Sequence, residues 1–159
     1  MVSTVVRWGR FALRQICCYR GGMLRKIKEM SPLPIGDMLL IAQRELNRPA
    51  EELKDKIDLR RAITALNAPF PRPGEIDLYP HPIEKAAICC SRIVRADLFP
   101  DANKKIAFEC MCEMLAMAEY PWSWNPKEAD EIEEKMNQLK TEEISEAEFI
   151  EWVWKRVRA

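Results

Sequence analysis

From Pro32 onward, apolar residues recur at helical spacing and almost nowhere with the alternation of a strand. Ile35, Met38, Leu39, Ala42 and Leu46 share one face of a segment that Pro34 opens and Asn47-Arg48-Pro49 stops. Leu59, Ala62, Ile63 and Leu66 form a second stripe, in a short helix capped by Asp58 and running to Asn67. A third stripe is Ile83, Ala86, Ala87, Cys90, Ile93 and Val94, with Pro82 at the first helical position, His81 beside the cap and an end near Arg95. A fourth is Ile106, Ala107, Cys110, Met111, Met114, Leu115 and Ala118, from Ala102 to about Glu119, and its Cys and Met content predicts central burial. Asn125-Pro126-Lys127-Glu128 and Ser145 with Glu148 have the spacing of capping boxes. They predict an acidic helix to about Leu139 and a last helix carrying Phe149, Ile150, Val153, Trp154 and Val157. The pattern is that of an all-α fold, about six helices around the central segment 102–119.

Between the second and third helices, Pro69, Pro71, Pro73, Pro80 and Pro82 with Gly74 exclude regular structure. A loop of that length is either a functional flap or binding lip, or a rigid connector. Charge adds a boundary. Lys plus Arg equal Asp plus Glu at 25 each, yet residues 1–28 hold seven basic groups and no acid, which leaves the rest acidic by seven. An acidic body argues against a broad nucleic-acid-binding face. No stretch approaches the ~20 apolar residues of a membrane span. Neither nucleic acid nor membrane is therefore an expected partner. Arg7, Arg10 and Arg14 interrupt any signal-like apolar core, so residues 1–22 read as a basic leader outside the fold, or else as a basic surface helix. One domain then spans 23–159. The six Cys lie in apolar or helical runs without a C-x-x-C pair, which predicts reduced thiols in a cytoplasmic protein. A single His, at position 81, excludes a His-rich metal site.

Candidate chemistry is concentrated in Asp97-Leu98-Phe99-Pro100-Asp101-Ala102-Asn103-Lys104-Lys105. Two carboxylates, an amide and two ammonium groups stand at the mouth of the predicted central helix, whose first N–H groups and positive dipole end suit an anion. Asp101 also fits a plain N-cap, which would make the run an ordinary polar helix start. Capping alone does not account for Phe99 and the lysine pair in the same register.

The run resembles the signature loop H-x-F-x-D-[AG]-N-K-R of the Doc (death-on-curing) toxin branch of the Fic/Doc, or Fido, family. It keeps Phe99, Asp101, Ala102, Asn103 and Lys104, with Asp97 in place of the motif His and Lys105 in place of the motif Arg. Weaker similarity extends over about 33–158. The resemblance implies a Fido-like helical bundle and ATP with Mg²⁺ as cofactors. It also implies transfer of a phosphoryl or nucleotidyl group to a hydroxyl of a protein substrate such as a translation factor. Asp101 would hold the metal, Asn103, Lys104 and Lys105 the phosphates, and Asp97 would occupy the place of the hydroxyl-activating base; Phe99 would anchor the loop. An implied partner is a small antitoxin bound helix-in-groove. The departures matter chemically. Lysine lacks the bidentate fork of arginine, and a carboxylate (reference pKa about 3.9) is a weaker base near neutrality than an imidazole (about 6.5). Protein kinases nevertheless orient the attacking hydroxyl with an Asp. The alternative is a catalytically degenerate Fido-fold binding or regulatory module.

Overall fold

The computed structural model describes residues 29–158, so the basic leader at 1–22 lies outside the described residues. Seven α-helices and no strand occur among the described residues: α1 Ile35–Leu46, α2 Ala50–Lys56, α3 Leu59–Asn67, α4 Pro82–Ala96, α5 Asn103–Met117, α6 Ala129–Lys140 and α7 Glu146–Arg158. The fold is all-α, as the periodicity predicts. Pro34 is the N-cap of α1, and Asn47 ends it in the left-handed conformation. Pro49 then caps α2, a seven-residue helix absent from the sequence reading because Leu53 is its one buried residue. Asp58 caps α3 by accepting from the Arg61 N–H at 3.1 Å. In α3 the stripe is shifted: Ala62, Ala65 and Leu66 are buried, while Ile63 is exposed. The box at Asn125 and Glu128 opens a 3-10 turn, Pro126–Glu128, which continues into α6.

α4 and α5 pack side by side as the spine, antiparallel because only a six-residue loop joins them. α3, α6 and α7 pack on α4, and α1 and α6 on α5. Ile83, Ile93, Phe99, Ile106, Phe108, Met111 and Phe149 are fully buried between them. Cys89, Cys90 and Cys110 are buried in the same spine and Cys112 is half-buried, all as free thiols. Burial pushes the Cys89 thiol up to about 12.

The proline-rich loop has one defined shape. Arg72-Pro73-Gly74-Glu75 is a type II turn, with Gly74 at φ 85° and the Glu75 N–H on the Arg72 carbonyl at 3.0 Å. Beyond it, Ile76, Leu78 and Pro80 face solvent while Asp77 and Tyr79 face α4. There Lys85 Nζ donates to Asp77 Oδ1 and Oδ2 at 2.7 and 2.6 Å and to the Tyr79 carbonyl at 2.6 Å. Its ammonium also lies 5.4 Å from the centre of the Phe70 ring. All three ammonium protons are thus used on one loop. Lys85 sits in the first turns of α4, and Asp97 follows the helix's last residue, about 18 Å away at 1.5 Å per residue. The loop is therefore held at the end of α4 opposite the signature run.

Lys85→Met is expected to remove about 2 kcal/mol, the scale of charge-assisted hydrogen bonds. Chemical denaturation measures the loss, with amide exchange rising at residues 76–79. The hydrogen bond from Lys85 holds the Asp77 carboxyl below its ordinary range. A carboxylate whose folded pKa is depressed stabilises the fold above its unfolded pKa. This contribution is therefore present at neutral pH and fades in acid, as pH falls below about 4.

Candidate active site

α4 ends at Asp97, which is left-handed at φ 49°. A helix leaves its last carbonyls without partners, and here the following helix supplies one. The Asn103 side-chain amide donates to the Ile93 and Val94 carbonyls at 3.2 and 3.4 Å. Its oxygen accepts the Leu98 and Phe99 N–H groups at 3.1 and 3.3 Å. Arg61 of α3 adds a bond to the Ala96 carbonyl at 2.6 Å. Phe99 is fully buried and anchors the loop in the core. Ala102, the N-cap of α5, is left-handed at φ 56°. For a residue with a Cβ that conformation costs about 1 kcal/mol. Asp101 is therefore not the cap. α5 begins with no side-chain cap hydrogen bond, and Asp101 is exposed one residue earlier.

The five residues singled out in the sequence do not share one environment. Asp97 and Asp101 are exposed at the loop surface and Lys104 is half-buried beside them. Asn103 is 6% exposed, and its amide is committed to the loop backbone rather than turned outward to a phosphate. Lys105 turns toward α1, where its Nζ lies 2.5 Å from Glu45 Oε2, and its side chain is 13% exposed. Both residues were expected among the phosphate ligands. In the structure the loop's own unpaired backbone groups claim the first, and a buried carboxylate claims the second.

Around Lys105, Arg44 Nε lies 3.7 Å from Glu45 Oε1 and Arg44 Nη2 3.5 Å from Glu109 Oε2. The Glu45 side chain is 2% exposed, and its Oε1 has no hydrogen bond. Burial, with Glu45 close by, raises the pKa of Glu109 above its ordinary value. Two α6 residues that the sequence reading missed close the other side of the loop. Lys104 Nζ bonds Asn137 Oδ1, and Lys140 Nζ lies 3.3 Å from Asp97 Oδ1. They are 33 and 43 residues from their partners, and no motif in the chain points to them. His81 is a cap residue: Nδ1 accepts from the Ile83 N–H at 3.2 Å, within a capping box with Glu84.

The sequence model of the Fic/DOC family matches residues 24–115, from before α1 through most of α5. The chain belongs to the Fic/DOC family. No curated protein and no solved structure matches it. Fic/DOC membership carries, as class chemistry, transfer of a nucleotidyl or phosphoryl group. The match contains α4, the signature loop and the start of α5, and also Glu45. It stops short of α6 and α7, so Asn137 and Lys140 come from outside the family span. Among the described residues no helix is long and apolar enough to cross a membrane.

Proposed function

We propose that the chain is a Doc-like toxin-type transferase that moves a phosphoryl, or nucleotidyl, group from ATP to a hydroxyl of a protein substrate such as a translation factor. The observation that carries this reading is the uncapped start of α5, with Asp97, Asp101 and Lys104 at its mouth on a loop that Asn103 holds in one shape. Phosphoryl transfer asks little covalent chemistry of a protein and mostly positioning and charge neutralisation, which these groups offer. The D-A-N-K form of residues 101–104 favours the Doc branch. In this assignment the α5 amides and Lys104 take the phosphates, and Asp97 orients the attacking hydroxyl.

Mg²⁺ binds through one or two carboxylates and keeps several waters. Exposed Asp101 suits that demand. When bound, the ion supplies charge neutralisation on the phosphates. A small antitoxin bound helix-in-groove belongs to the same proposal.

A second reading, a Fido-fold binding or regulatory module without transfer, is favoured by the Lys105–Glu45 pair, which withdraws one motif cation from the loop. One experiment separates the two. Calorimetry with Mg·ATP is expected to show binding, and Asp97→His to raise transfer of label from ATP to protein above wild type. Label from γ-phosphate identifies phosphoryl transfer, and label from α-phosphate nucleotidyl transfer. Binding with no label in either protein selects the module, and a folded chain that takes up no ATP at millimolar concentration ends the transferase reading.

A further inference from the structure

We propose that Lys140, contributed by α6 outside the span shared with the family, is the second phosphate-binding cation of this site, in the role that the motif gives to position 105. The inference rests on the nucleotide reading above and identifies which of the chain's own charges would serve it. Three ammonium groups surround the loop, and their environments differ. Lys105 is paired with Glu45, whose side chain is 2% exposed. If Lys105 turned to a ligand, that buried carboxylate would lose its close partner and keep only Arg44, 3.7 Å away. Lys140 is in the opposite situation. Its side chain is 46% exposed and that of Asp97 61%, so water screens the pair and either partner leaves at little cost.

Asn137 and Lys140 stand three residues apart and so on one face of α6. That face spans the loop, with Asn137 on Lys104 and Lys140 on Asp97. The arrangement also answers an electrostatic problem. A bare carboxylate at position 97 repels phosphates, and Lys140 offsets that charge until a more highly charged phosphate takes the lysine over. The cations available to a nucleotide are then Lys104 and Lys140, from two helices, rather than the adjacent Lys104 and Lys105.

The test is calorimetric titration of the full chain with Mg·ATP at several salt concentrations. Lys140→Gln is expected to weaken binding about ten- to a hundredfold, the effect of losing one charge-assisted hydrogen bond. It is also expected to flatten the salt dependence while leaving the thermal midpoint unchanged. Lys140→Arg retains most of the affinity, and Asp97→Asn, which releases Lys140, tightens binding. If wild type binds ATP and Lys140→Gln binds it equally well, with the same salt dependence, the assignment of Lys140 is overturned and the nucleotide reading stands. If Lys140→Gln lowers the midpoint and Lys140→Arg fails to restore affinity, the lysine is structural and the assignment is overturned. Absence of ATP binding by wild type removes the nucleotide reading and this inference together.

Discussion

Asn103→Ala is expected to destabilise the chain by about 3 kcal/mol, one of the two largest effects of a single change in the signature loop. The alanine would leave the Leu98 and Phe99 N–H groups without their acceptor and the Val94 carbonyl without its side-chain donor, while the Ile93 carbonyl keeps the Asp97 N–H. Unsatisfied buried polar groups cost about 1–3 kcal/mol each, and partial entry of water brings the sum down. For a domain of this size the loss corresponds to a fall in thermal midpoint of about 6–12 °C. Thermal denaturation of the variant checks it. A fall under about 2 °C would mean that the loop keeps its shape without Asn103. Asn103→Asp is expected to be no better, because a carboxylate cannot donate to the two carbonyls and brings a charge into a buried position.

Lys105→Met should cost a similar amount, about 3 kcal/mol, because it strips the close partner from the buried Glu45 carboxylate and leaves it only Arg44, 3.7 Å away. The informative variant is the double one. Glu45→Leu with Lys105→Met removes both charges and is expected to recover most of the loss, since replacing a whole buried pair with apolar groups is often near neutral. Urea denaturation of the two single variants and the double variant gives the coupling directly. A double variant as unstable as the sum of the singles would show that the pair does not act as a unit. ATP affinity measured on the same set is expected to track folding alone, because Lys105 faces α1 rather than the loop mouth.

Most of the helices were legible because their ends are written in local chemistry. Asp58, Pro82, Asn125 with Glu128, and Ser145 with Glu148 each mark a start that is present in the structure within a residue or a turn. α2 was not legible, since a seven-residue helix with one buried Leu has no stripe to detect. In α3 the choice of Ile63 over Ala65 followed side-chain size, whereas the packed face selects the small residue that fits against α4. The position of the loop and the anchoring of Phe99 were legible from the motif. What each polar side chain does there was not. Asn103 looks outward in a one-dimensional reading, yet the unpaired end of α4 turns it inward. Lys105 meets Glu45 and Asp97 meets Lys140 across dozens of residues, contacts that exist only after the helices have packed.

The buried thiols of the spine also give the fold a built-in clock. The thiolate is the form that attacks a thiol reagent, and burial holds the Cys89, Cys90 and Cys110 pKa values far above neutral, so these groups are inert while α4 and α5 stay together. All three are fully buried on the two spine helices, away from their fraying ends. Their modification therefore reports separation of the spine rather than local loosening. With reagent in excess, its rate approaches the opening rate of the native state, which an equilibrium melt does not give.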